Sequence, residues 1–127
     1  MTAAEIAEIR EIMTSWGAKF AAAPSTDFVN WLTRHGCSEE DAAALASLIP
    51  EEGFTIRTKS FNLSNIFGSS EVMRESSGQT GCSLKLIEDR LLAVGDAYAP
   101  LYYLIDLGSP FKGPTYLVDF YYFQSFY

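Results

Sequence analysis

Three short apolar runs between Leu91 and Phe120 constrain the fold most: Leu91-Leu92-Ala93-Val94, Leu101-Tyr102-Tyr103-Leu104-Ile105 and Tyr116-Leu117-Val118. An aspartate follows each one closely, at Asp96, Asp106 and Asp119. Runs of this length, rich in aromatic and β-branched residues and bounded by Gly, Pro and Ser, read as sheet strands rather than helices. Turns are expected at Glu88-Asp89, Gly95-Asp96 and Gly108-Ser109-Pro110, which makes neighbouring strands antiparallel hairpins or meanders. No reactive group stands out on these strands. They read as a scaffold and favour a binding protein over an enzyme.

The first fifty residues have a different period. Thr2 and Glu5 form a T-x-x-E capping box, and Ile6, Ile9, Met13, Trp16 and Phe20 follow at three-four spacing, which predicts a helix that ends near Ala23, before Pro24. Ser25 or Thr26 caps a second helix carrying Phe28, Trp31 and Leu32, with Gly36 as its left-handed terminator. Ser38 opens a third, whose first turn holds Glu39, Glu40 and Asp41, where carboxylates suit the helix dipole; it runs through Leu45, Leu48 and Ile49 to Pro50. Beyond it Phe54-Thr55-Ile56-Arg57-Thr58 alternates as a strand does, Phe61 to Phe67 is mixed, and Ser69 to Gly81 is polar enough to read as a loop. The expectation is one α+β domain over residues 1–127, with N-terminal helices (about 2–49) packed on a C-terminal antiparallel sheet (about 54–126).

A 48% apolar composition supplies a core for a chain of this size. Sixteen acidic against nine basic side chains leave a net charge of −7, which repels nucleic acid and anionic lipid and attracts a basic partner. No apolar stretch approaches a membrane span, and the N-terminal glutamates do not resemble a secretory leader, so a cytoplasmic protein is expected. Cys37 and Cys82 stand far apart without a CxxC pair. They read as free thiols, with neither zinc nor a disulfide.

Candidate chemistry is sparse. His35 is the sole histidine, and although it lies two positions from Cys37, residues either side of a helix-ending glycine point apart, which argues against a nucleophile and base pair. Asp96, Asp106 and Asp119 form a metal or acid/base site only if strand ends converge, and in a meander successive ends alternate between edges. Turn formation explains each aspartate separately. No phosphate-cradling loop, nucleophile elbow or metal-binding helix motif is present, so neither cofactor nor metal is expected.

All seven tyrosines lie between Tyr98 and Tyr127. Tyrosine offers apolar area with a hydroxyl handle and loses little rotamer entropy on binding, which suits recognition surfaces. The segment Phe120-Tyr121-Tyr122-Phe123-Gln124-Ser125-Phe126-Tyr127 puts aromatics on both faces of any strand. It calls for cover, by the helices, by a homodimer contact or by a C-terminal helix that this chain lacks and that would normally pack there.

The succession Leu91 to Asp96, then Tyr102-Tyr103-Leu104-Ile105-Asp106-Leu107, then Pro114 to Phe120 resembles the sheet signature of the SUKH superfamily. There a strand ending in Gly-Asp precedes a tyrosine-bearing strand ending in Asp-Leu, and a Pro-initiated strand follows. The family includes bacterial immunity proteins that neutralise secreted toxins and fungal scaffolds of cell-wall signalling. The resemblance implies a non-enzymatic protein that grips a partner through the sheet and nearby loops, with Asp96, Tyr98, Tyr102 and Asp106 as the contact residues. The alternatives are a self-associating assembly module and a small hydrolase using the aspartates with His35.

Overall fold

The computed structural model describes residues 1–57, 63–78, 86–98, 101–113 and 115–119, without the side chains of Tyr98 and of residues 117–119. Helices α1 (Ala3–Ser15), α2 (Thr26–Arg34) and α3 (Glu39–Leu48) precede strands β1 (Phe54–Arg57) and β2 (Leu63–Ile66). Helix α4 (Ser69–Ser76) and a 3₁₀ turn at Leu86–Asp89 come next, followed by β3 (Leu91–Tyr98), β4 (Leu101–Asp106) and β5 (Thr115–Asp119). The five strands form one antiparallel sheet in chain order, β1-β2-β3-β4-β5. The architecture is α+β, with three helices ahead of the sheet and α4 inserted between its second and third strands.

Local chemistry sets the helix ends. In α1 the amide of Glu5 donates to Thr2 Oγ1 at 3.1 Å and the amide of Thr2 donates to Glu5 Oε1 at 3.0 Å, the reciprocal capping box. Those bonds to Thr2 hold the Glu5 carboxyl below its ordinary pKa. The same helix stops well before Ala23, because Gly17 adopts φ +108° and the amides of Gly17 and Ala18 turn back onto the carbonyls of Thr14 and Met13. Helix α2 ends identically: Gly36 has φ +105°, and the amides of Gly36 and Cys37 return to Thr33 and Leu32. In α3 the amide of Asp41 donates to Ser38 Oγ at 3.2 Å.

The segment expected to be a loop from Ser69 is helical to Ser76. The amide of Gly68 donates to Glu71 Oε1 at 3.4 Å, and Val72 on the first turn is fully buried, so one apolar anchor and one cap outweigh a Ser-rich composition. Residues 79–81 of that stretch, and Cys82, lie outside the described residues.

Gly95-Asp96 is also not a turn. Both residues sit inside β3, opposite Tyr103 and Tyr102 on β4 and opposite Ile66 and Asn65 on β2. Ala93 faces Leu104 and Gly95 faces Tyr103, so Val94 is the extra residue of a β-bulge, and a second irregularity follows between Asp96 and Tyr98. Glycine is needed at the bulge because a Cβ there would collide with the carbonyl oxygen of Asn65.

Helices and sheet share one apolar cluster. Phe28 and Leu32 of α2, Ala42, Leu45 and Ala46 of α3, and Val72 of α4 meet Ala93, Tyr102 and Leu104 of the sheet. Complete burial of a Leu or Phe is worth about 1.5–3 kcal/mol, so this layer carries much of the stability. In contrast, α1 buries no residue fully.

Candidate functional site

Residues opposite one another on paired strands share a face of the sheet. The row Thr55, Asn65, Asp96 and Tyr102 faces the helices, and the row Phe54, Ile66, Gly95 and Tyr103 faces away from them. Two of the four residues expected to contact a partner therefore lie on the covered side.

Tyr102 is only 2% exposed. Its hydroxyl donates to Glu75 Oε2 of α4 at 3.1 Å, and its ring meets Phe67 edge-on at 6.1 Å between centroids. A ring so enclosed offers little area to a partner and serves the packing of α4 on the sheet. Asp96 is 9% exposed and accepts from Asn65 Nδ2 at 2.7 Å; Asn65 Oδ1 in turn accepts from Thr55 Oγ1 at 2.8 Å. This hydrogen-bonded line crosses three strands and ties β1, β2 and β3 in register. It explains an in-strand carboxylate without a ligand.

Asp106 is at the other end of β4, partly exposed, where its Oδ1 accepts the amide of Gly108 at 2.8 Å and closes the turn into the β4–β5 connection. The Tyr98 side chain lies outside the described residues, as does the aromatic segment 120–127. The register puts Asp96 and Asp119 toward one end of the sheet and Asp106 at the other, because Asp119 pairs with Leu101 while Asp106 pairs with Leu91. The three aspartates are not brought to one place. Among the described residues no group of three His, Cys, Asp or Glu side chains is placed to hold a metal ion.

His35 and Cys37 part company as the helix-ending glycine requires. The His35 ring rests against Trp31, 4.9 Å between centroids, while Cys37 belongs to the apolar core. Burial, reinforced by the nearby Asp41 carboxylate, pushes the Cys37 thiol up to about 11. A thiol that resists ionisation is a poor nucleophile.

Two concave places and one helix face were not foreseen. On the side of the sheet away from the helices, Ile56, Ser64, Ile66, Val94, Tyr103 and Thr115 line a shallow apolar groove of about 350 Å³, where Tyr103 Oη and Ser64 Oγ lie 3.2 Å apart. A cleft of about 220 Å³ opens between α1 and the α2–α3 layer at Arg10, Phe20, Phe28 and Ile49. Its Arg10 guanidinium donates to the Ala21 carbonyl at 3.2 Å and lies 4.7 Å from the centre of the Phe20 ring.

The helix face is the outward side of α1. Trp16, expected among the inward residues, is 55% exposed, and Ile12 is 44% exposed. Spacing gives only a weak signal: Ile6, Ile9 and Met13 form one stripe and Ile12 and Trp16 border it, centred about 75° round the helix, with Trp16 about 20° from Ile9 at the usual advance per residue.

Charge is distributed unevenly over these surfaces. Residues 1–52 hold nine carboxylates against three basic side chains, a net of −6, and the rest of the chain holds seven against six, a net of −1. Among the described residues no helix is long and apolar enough to cross a membrane. Comparison with family models, with curated proteins and with solved structures returned no match to this chain.

Proposed function

We propose that the protein is a non-enzymatic, cytoplasmic protein-binding module of the SUKH immunity type, which captures a basic secreted toxin domain and blocks it by occlusion. The observation that carries this reading is the partition of charge. Nearly all of the net negative charge belongs to the helical half, while the sheet half is close to neutral and spends its polar side chains on internal bonds. A one-signed surface of this kind raises the encounter rate with an oppositely charged protein and rejects acidic competitors. Occlusion requires no reactive group on the inhibitor; its affinity comes from a few buried anchors surrounded by a polar rim.

The test is co-expression with any secreted toxin that a neighbouring gene encodes. Growth should be restored by this chain, and the purified pair should form a stoichiometric complex whose association rate falls steeply as salt rises. Continued killing in the presence of abundant folded chain, or an association rate indifferent to salt, overturns the reading.

A further inference from the structure

The surface that grips the partner can be assigned, on the reading that this is a module for a basic protein. The stripe Glu5, Glu8, Ile12 and Trp16 runs along the exposed side of α1, its members within about 80° of one another at 100° per residue. Its N-terminal half is acidic and its C-terminal half is apolar. Ile12 and Trp16 are two of the few large hydrophobic side chains left in solvent among the described residues. The inward residues Ile6, Ile9 and Met13 already hold the helix to the body, so the outer stripe is spare as far as folding is concerned.

The depression where Glu40 and Asp41 of α3 meet Ala3 and Ile6 is on the inward side of α1, so the acidic part of the stripe is Glu5 and Glu8 alone. The apolar groove on the sheet has no charged residue in its lining, and nothing there selects one occupant over another.

We propose that the outward face of α1 is the docking surface, with Trp16 and Ile12 entering an apolar pocket on a cationic protein partner and Glu5 and Glu8 meeting its lysines and arginines. Tryptophan is the side chain most enriched among interface hot spots, and Trp16 is half exposed with Glu8 and Glu5 two to three turns N-terminal to it on the same stripe. The charges set orientation and encounter rate; the two apolar side chains set the lifetime of the complex.

The experiment places photo-reactive benzoylphenylalanine at position 12, 16 or 103 of the full chain, expressed in cells that also make the partner, and identifies what is cross-linked. Positions 12 and 16 should each trap one and the same protein of isoelectric point above about 9, and position 103 should not. With that protein purified, the pair of substitutions Ile12→Ser and Trp16→Ala should weaken binding about thirty-fold or more, the scale of a lost hot spot, with an unchanged melting temperature. Glu8→Lys should flatten the salt dependence of association. Trapping of a second copy of this chain or of an acidic protein, or trapping from position 103 alone, overturns the α1 surface. A partner that still binds the Ile12 and Trp16 variant at full strength also overturns it, yet leaves a protein-binding module standing. Failure of the unmodified chain to form any complex removes the binding reading and this surface together.

Discussion

The first 52 residues turn their carboxylates outward, whereas the sheet half turns its polar side chains toward one another, although both halves feed the same apolar core. In the helical half, Glu39, Glu40 and Asp41 lie on the first turn of α3 and are open to solvent or nearly so. In the sheet half, Asp96 is bonded to Asn65, Tyr102 to Glu75 and Ser76 to the backbone of β3. Cohesion and surface charge therefore reside in different residues, and each can be altered with little effect on the other.

Four substitutions and one titration probe that separation. Leu32→Ala should cost the most, about 2–5 kcal/mol by denaturant melting, because its side chain is fully buried where α2 meets the core. A loss below about 1 kcal/mol would mean that the helices merely lean on the sheet. Ser76→Ala should cost about 1–3 kcal/mol, since the buried amide of Ala93 donates to Ser76 Oγ at 2.9 Å and would lose its acceptor. Gly36→Ala should cost about 1–2 kcal/mol, combining φ +105° with a Cβ that would come within 2.8 Å of Arg90 Cδ.

Alkaline titration probes Cys37. Its folded pKa of about 11 exceeds the ordinary 9.0, so the unfolded chain releases the proton first and folding stability declines as pH rises from about 9 to about 11. Cys37→Ala should remove that slope when melting temperature is followed against pH in a Cys82→Ser background. Glu8→Lys should change stability least, within about 0.5 kcal/mol, as an exposed surface position does. A larger change would tie surface charge to cohesion and break the comparison.

Much of the framework was legible because it rests on local chemistry. The capping box at Thr2, the Ser38 cap and the Gly36 terminator act over three or four residues, and all three are as read. The strands at Phe54, Leu91, Leu101 and Thr115 announced themselves by composition and period. The errors arose where a distant partner decides. Apolar spacing continues past Gly17 to Phe20, but a left-handed glycine ends α1 first. Ser69 to Ser76 looks like a loop until Val72 finds a core to enter. Gly95-Asp96 has turn composition, yet Gly95 answers to the Asn65 carbonyl of a neighbouring strand and Asp96 to the Asn65 amide, neither visible along the chain.

The burial of Asp96 and Tyr102, two of the expected contact residues, was hidden for a related reason. Tyrosine density located the sheet but not which side of it the helices would cover, and one bulge in β3 decides that Ala93 and Asp96, three apart, share a side. Trp16 was visible from the outset and was assigned to the wrong stripe of α1.

Because spatial order follows chain order throughout the sheet, no strand must thread between two that have already met. Most pairings join segments close in sequence, with only the β2–β3 pair spanning the inserted α4, which keeps the entropic toll of closing the sheet small. Refolding should accordingly be quick for a domain with so much strand, single-exponential on the millisecond scale, with its slowest step the arrival of β2 beside β3.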